Sequence, residues 1–265
     1  MECIIVDDGS SDNTNQIVNS IDDYRLVYIR HPVNKGASAS RNTGMKYSRG
    51  DFIAFLDDDD EWMIDKLEKQ VELLKKSKQD IGLIYSWMSY MKGEKELYLY
   101  NPKLKGYIFK DMLDKQAIGN SSTLLVRRQV IEKIGGFDES LPRGNDGDFI
   151  RRVCRKYEVD FLPEVLVKIH IDHGMPRISD DTKKSVQDVI KSLKIRFEKF
   201  SDDQENYPKE FASICLFIAY HYATIRELKE SIFWSLKAVT FSPLSVFVYK
   251  RIIHLLMEAY NYSIK

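Results

Sequence analysis

Four consecutive acids, Asp57-Asp58-Asp59-Asp60, directly follow the apolar run at residues 52–56 and precede Glu61-Trp62. Like charges at that spacing repel one another, and only solvent or a cation relieves them. Taken alone, the run also reads as a solvated helix cap. As a site it offers hard oxygen ligands with open positions, which is how Mg2+ or Mn2+ is held when phosphates complete the shell. Alternating residues of an extended turn share a side, which makes Asp57 and Asp59 the pair and leaves Asp60 to cap a helix starting at Trp62. Two further stretches carry groups suited to an anionic ligand: Val6-Asp7-Asp8-Gly9-Ser10-Ser11-Asp12-Asn13-Thr14 and Asn34-Lys35-Gly36-Ala37-Ser38-Ala39-Ser40-Arg41-Asn42. In the first, Asp-Gly is equally an ordinary turn and Ser11 or Asp12 an ordinary N-cap. In the second, Gly36 lets backbone approach a ligand and Arg41 suits a diphosphate, although the stretch also reads as a plain surface helix start.

The elements that must position these groups alternate along the chain. β-rich runs at 2–6, 26–29 and 52–56 are interleaved with helical periodicity at 13–21, 37–47 and 62–76, a βαβ rhythm that means a parallel sheet. Each chemical stretch then lies between a strand and a helix, at the carboxyl edge where open α/β folds bind ligands. The helix at 62–76 carries an apolar stripe of Leu67, Val71, Leu73 and Leu74 with Lys and Glu opposite, as a cover for a sheet that has no chemistry of its own. Strand patterns at 81–87, 97–100, 122–126 and 161–170, the last broken by Pro163, make the following part mixed. From about residue 180 the pattern is wholly helical, at 183–200, 210–222, 228–240 and 244–260. A domain boundary is placed there. Residues 219–243 alternate small and aromatic residues like one tetratricopeptide-like hairpin, and a helical cap is favoured over a peptide-binding module because a single unit has no repeat period.

The three stretches together resemble the inverting family 2 glycosyltransferases, in which VDDGSxDxT, NxGxxxxRNxG and FLDxDDxW occur in this order. Further on, Gly135-Gly136-Phe137-Asp138-Glu139 and Asn145-Asp146-Gly147-Asp148-Phe149 resemble that family's GGFDE segment and its acidic motif followed by a helix. The resemblance covers residues 1–179. It implies an α/β fold of the GT-A nucleotide-sugar-binding (Rossmann-like) type, a mixed sheet flanked by helices, with residues 180–265 as a C-terminal all-α extension. It also implies roles. Asp8, with Asp7 beside it, would contact the nucleotide base, and Arg41 the base or diphosphate. Asp57 and Asp58 would bind the ribose or sugar, and Asp59 with Asp57 the metal, Mg2+ or Mn2+. Asp146 would be the catalytic base, since an inverting displacement needs one carboxylate to take the acceptor's proton. Asp148 would either raise the pKa of Asp146 by repulsion or sit on the helix surface. His170 and His173, ahead of Arg177 and Ser179, resemble the family's strand-end segment; one would complete the metal shell or bind diphosphate, and a strand-end histidine is as readily structural.

The implied activity is transfer of a sugar from a nucleotide-sugar, UDP-linked in the first instance, to a hydroxyl of a glycan or lipid-linked acceptor in surface polysaccharide biosynthesis. The absence of Gln-x-x-Arg-Trp points to single-sugar addition. Two departures from the pattern stand out. The strand–turn–helix unit that precedes the VDDGS strand in the family is missing, so the chain reads as N-terminally truncated, and Asn145 replaces a glutamate. The first departure motivates a second reading, a catalytically impaired nucleotide-sugar-binding or scaffold protein. A dinucleotide oxidoreductase ranks third, because no GxGxxG follows the first strand.

Composition narrows the setting. Forty Lys+Arg balance forty Asp+Glu, so no global field draws the chain to nucleic acid, and 43% hydrophobic residues suffice for a core. Cys3, Cys154 and Cys215 have no metal-ligand spacing and read as reduced packing residues. The start is not a signal peptide, and the stretch at 211–225 is too short and polar to span a bilayer. A cytoplasmic protein is expected, with peripheral contact at the inner face of a membrane left open.

Overall fold

Ile4, Ile5 and Val6 form the centre of β1 (Cys3–Asp7), which pairs in parallel with β2 (Leu26–Arg30) across α1 (Thr14–Asn19), in a register running from Cys3 opposite Leu26 to Asp7 opposite Arg30. The computed structural model describes residues 1–171 and 183–263. By contacts the chain divides into two units. One comprises Met1–Met112, Ala117–Ser140 and Asn145–Gly174, and the other Leu113–Gln116, Leu141–Gly144 and Met175–Lys265.

In the first unit α2 (Ala37–Tyr47) follows β2, and a second, mixed sheet begins with β3 (Phe52–Ala54) and β4 (Asp60–Trp62). α3 (Lys66–Lys76), β5 (Ile81–Lys92), β6 (Lys95–Tyr100) and α4 (Phe109–Leu113) come next. A single 3₁₀ turn at Ser121–Thr123 leads into β7 (Leu124–Arg127), then α5 (Arg128–Ile134), α6 (Asn145–Cys154) and β8 (Glu158–His170). The strand order is β3-β7-β5-β8-β4, with β6 beside β5. β8 runs parallel along β5, so β7 and β6 share the other edge, β7 on the first half and β6 on the second.

This corrects three expectations. The early βαβ rhythm does not build one parallel sheet, because β3 joins by antiparallel pairing with β7; an apolar run declares that it is a strand but not which way its partner points. The helix after the acidic run starts at Lys66 and not at Trp62, since Asp60–Trp62 pair with Val167–Ile169 of β8. Three residues are too few to show a period of two, so the pairing alone reveals that strand. Pro163 does not break β8: Ser86 faces Leu162 and Trp87 faces Val165, so Pro163 and Glu164 are absorbed as a bulge.

α3 lies on the sheet, with Leu74 packed against Ile84 and Leu125, and Leu67, Val71 and Leu73 at the margin of that cluster. Burial of side chains this size is worth about 1.5–3 kcal/mol each. The buried face of α3 also holds Lys66 and Gln70, which the stripe reading left outside. A second cluster joins Met88, Val167 and Ile169 to Trp62, Tyr90 and Tyr100.

The second unit is helical: α7 (Lys183–Lys199), α8 (Pro208–Thr224), α9 (Leu228–Phe241) and α10 (Val246–Ser263). These match the four helical stretches of the sequence. α8 and α9 form a hairpin through three residues, with Arg226 at φ 65°. The Phe197 ring meets Phe211, Trp234 and Phe241 edge-on at 5.4–5.7 Å to make its core. Among the described residues no helix is long and apolar enough to cross a membrane. Cys154 and Cys215 are buried, whereas Cys3 is exposed and is not a packing residue.

Candidate active site

The acidic run folds as a tight turn, closed by a hydrogen bond from the Asp60 amide to the Asp57 carbonyl at 3.1 Å. In such a turn residues i and i+3 come to the same side. Asp57 and Asp60 therefore face inward while Asp58 and Asp59 are exposed, in place of the expected alternate pair of Asp57 and Asp59. Asp60 is not a helix cap either. Its carboxylate accepts the Ser122 hydroxyl at 2.6 Å and the Asn120 amide at 3.3 Å. The Asp57 amide donates to Ser122 Oγ at 3.1 Å, and the Ser121 hydroxyl lies 3.4 Å from the Asp57 carboxylate. Burial pushes the Asp60 carboxyl up to about 6, opposed by the Ser122 hydrogen bond and reinforced by the charges of Asp57 and Asp59.

Arg41, one turn into α2, ties this turn to α6. Its Nη2 donates to Asp57 Oδ1 at 2.5 Å, its Nη1 lies 3.2 Å from Asp146 Oδ1, and its guanidinium sits 5.2 Å from the centre of the Phe137 ring. Asp146, in the first turn of α6, accepts the Ser121 amide on Oδ2 at 3.2 Å. Its Oδ1 is shut off from solvent and accepts no aligned hydrogen bond. Burial raises the pKa of Asp146; the Arg41 charge opposes this and the Asp57 charge adds to it. Asp148 does not sit on the helix surface, because its side chain is buried and accepts Arg152 Nε at 2.8 Å. The substituted Asn145 ties α6 to α2 by donating to Ser38 Oγ at 2.6 Å. Asn42, next to Arg41, binds both the amide (2.7 Å) and the carbonyl (2.9 Å) of Phe137. A side chain at Gly136 would collide with Asn42, which explains the second glycine of that motif.

The first acidic motif is built differently. Asp7 is buried and accepts the Ser10 amide at 2.7 Å and the Tyr28 hydroxyl at 2.5 Å, with Arg30 Nε at 3.4 Å. These donors, Tyr28 foremost, pull its pKa down to about 2. Asp8 accepts the Lys35 and Gly36 amides at 2.9 and 2.7 Å and meets His31 Nδ1 at 2.6 Å, which together outweigh its burial and lower its pKa. It thereby holds the β2–α2 turn against the β1–α1 turn, where Gly9, at φ 81°, packs too closely on Val33 and Asn34 to admit a side chain. The sequence reading missed His31, whose only mark is a histidine at a strand end. It also missed Asn120, Ser121 and Ser122, a run of small polar residues ahead of an apolar strand.

His170 is not gathered to Asp57 and Asp60. His170 lies opposite Met91 on β8, and its ring meets Glu61 at 3.5 Å. Asp60 pairs with Ile169, so His170 and Glu61 lie on the other face of those strands. His173, Arg177 and Ser179 fall outside the described residues. Among the described residues no three Asp, Glu, His or Cys side chains are gathered to enclose an ion. The donor set nevertheless fits a hard divalent cation whose shell is completed by phosphate. Asp57, Asp60 and Asp146 face the single guanidinium of Arg41, and one buried carboxylate oxygen accepts no hydrogen bond.

Comparison with known proteins gives a consistent result. The model of glycosyl transferase family 2 matches residues 1–135. An uncharacterized glycosyltransferase of Methanocaldococcus jannaschii is 31% identical over 184 residues, 66% of this chain and 62% of that protein. The UDP-Glc:alpha-D-GlcNAc-diphosphoundecaprenol beta-1,3-glucosyltransferase WfgD of Escherichia coli is 43% identical over 84 residues, 32% of each. The chain thus spans about three fifths of the first relative's length and a third of the second's. Residues 1–349 of S. aureus TarS, in complex with UDP-GlcNAc, superpose with a TM-score of 0.61 at 18% identity, covering 97% of this chain and 71% of that one. The mannosyltransferase PcManGT from Pyrobaculum calidifontis, with GDP-Man and Mn2+, gives 0.55 at 16% identity, covering 100% and 71%. These likenesses establish a GT-A fold.

Proposed function

Because this chain belongs to glycosyl transferase family 2, we propose that it moves a sugar from a nucleoside-diphosphate-sugar to a hydroxyl acceptor with inversion, and that Asp146 is the base. The observation that carries this reading is the Arg41 bridge between Asp57 and the half-buried Asp146 carboxylate, whose Oδ1 accepts no aligned hydrogen bond. A carboxylate of raised pKa with one oxygen left without an aligned hydrogen bond is suited to receive a proton. The acceptor hydroxyl gives its proton to Asp146 as its oxygen attacks the anomeric carbon; the bond from that carbon to the diphosphate oxygen breaks, and the nucleoside diphosphate leaves. Arg41 orients both carboxylates and offers positive charge to the departing phosphates. Mg2+ or Mn2+, held by Asp57 and Asp60 with the exposed Asp59 beside them, would supply further neutralisation of that charge.

Residues 1–179 are the transferase part in this reading, and 180–265 an accessory helical extension. Asp58 would face the nucleotide-sugar, and Asp7 and Asp8 would hold the turns that border it. UDP-sugars are the first donors to test, given the UDP-GlcNAc complex of TarS and the UDP-Glc named for the E. coli relative. The diphosphoundecaprenol-linked acceptor of that relative supports a lipid-linked or glycan acceptor in polysaccharide synthesis.

The test is release of UDP from UDP-glucose and UDP-GlcNAc, with Mn2+ and with chelator, alongside calorimetry with UDP and Mn2+. Metal-dependent release that disappears in Asp59→Ala, with the product's anomeric configuration opposite to the donor's by proton NMR, supports the reading. UDP binding without release points to an impaired binding protein, and absence of binding for both uridine and guanosine diphosphates overturns the assignment.

A further inference from the structure

Lys66 is fully buried, although a lysine normally keeps its ammonium in water and buries only its stem. Among the described residues no carboxylate lies within ion-pair distance of it. Its Nζ donates to Gln70 Oε1 at 2.7 Å, and it lies 4.2 Å from the centre of the Trp62 ring. Burying an ammonium without an anion is costly, and burial alone brings its pKa down to about 7. An apolar side chain would cover the sheet at that position with less penalty.

The two groups Lys66 touches lead to the same place. Gln70 Nε2 donates to the Thr123 carbonyl at 2.8 Å, and Trp62 Nε1 donates to the Ser122 carbonyl at 2.8 Å. One ammonium thus engages both side chains that hold consecutive carbonyls of the 3₁₀ turn. The same turn presents the Ser122 hydroxyl to Asp60, the Ser121 hydroxyl to Asp57 and the Ser121 amide to Asp146. A cation on the indole face draws electron density from the ring and strengthens the N–H as a donor, and a charge-assisted bond to Gln70 fixes which end of its amide meets Thr123.

We propose that Lys66 is a positioning residue: through Trp62 and Gln70 it locks the turn at Ser121–Thr123, and the locked turn holds Asp57, Asp60 and Asp146 in the arrangement the transfer reaction requires. This rests on the function proposed above, and the lysine's stability cost is borne for the site's sake.

Lys66→Met separates a positioning role from a structural one because the two predict opposite pairings. Removing an uncompensated buried charge leaves the unfolding temperature unchanged or higher, while kcat for UDP release falls by about tenfold or more, the range seen when residues supporting a ligand set are removed. Trp62→Phe, which keeps a ring beside Lys66 but loses the N–H, gives a similar fall in kcat, and the double variant is no worse than the more impaired single one. A Lys66→Met protein with wild-type kcat overturns the proposal. So does one whose loss of kcat is matched by loss of folded protein, and for a variant that does not fold the decision passes to Trp62→Phe alone. Hydrogen exchange of the Ser121 and Thr123 amides gives a readout independent of turnover. Faster exchange in Lys66→Met than in wild type supports the proposal and unchanged exchange refutes it, even if the wild-type protein proves inactive, a result that would count against the function and not against the lysine.

Discussion

The turns after β1 and β3 both carry consecutive aspartates, yet the protein treats them in opposite ways. Asp7 and Asp8 are surrounded by donors, Tyr28, Ser10 and Arg30 for one and His31 with two backbone amides for the other, and both have lowered pKa values. Asp60 is pushed up to about 6 and Asp146 is also raised, because burial and like charge outweigh the donors they have. A carboxylate whose needs the fold already meets holds loops together, whereas one that the fold leaves under-compensated stores affinity for a cation or a proton. The same residue type thus serves as a joint in one turn and as chemistry in the other.

The comparison can be broken at several points. Asp146→Asn has the largest expected effect: transfer falls by about 10²–10⁴-fold, the usual worth of a general base, with no drop in unfolding temperature, and retained donor consumption would remove the base assignment. Next comes the pH dependence of the acid turn. Folding raises the pKa of Asp60 from 3.8 to about 6, so its contribution to stability is full below about pH 4 and is lost as pH rises through 6. Cation binding runs the other way, and the affinity for Mn2+ with UDP measured by calorimetry should be about fourfold weaker at pH 5.5 than at 7.5 if Asp60 must ionise. A flat profile would put Asp60 outside the cation's influence.

The joint makes the opposite prediction. Folding lowers the pKa of Asp7 from 3.8 to about 2, so its stabilisation is full above about pH 4 and is lost as pH falls toward 2. Asp7→Asn should lower the unfolding temperature at pH 7 by on the order of 5 °C, as expected for weakened charge-assisted hydrogen bonds, while kcat in the folded protein changes little. The smallest effect belongs to Cys3→Ser, an exposed position in the same strand, which should stay within about 0.5 kcal/mol of wild type by chemical denaturation.

The places where this contrast is built were legible in the sequence, although the contrast itself was not. Strand–turn–helix order located the three polar stretches, and the GGFDE and Asn145-Asp146 segments marked the partners that Asn42 and Arg41 later meet. What misled was local geometry. Alternation paired Asp57 with Asp59, but a turn closed between 57 and 60 brings Asp57 and Asp60 together. The stripe on α3 set its lysines on the far side and passed over Gln70, because periodicity ranks residues by polarity and cannot see that Trp62 and Thr123 meet Lys66 and Gln70.

Local order, the βα alternation, the four C-terminal helices and the identity of the polar turns follow from the chain's own pattern, since propensity and periodicity act over a few residues. Strand direction, the short strand Asp60–Trp62 and the division of labour between the two acidic turns were decided only in three dimensions. The physical reason is that a pKa, a buried cation or a satisfied carboxylate depends on groups far away in sequence, such as His31 for Asp8 and Ser122 for Asp60, and no local pattern carries that information.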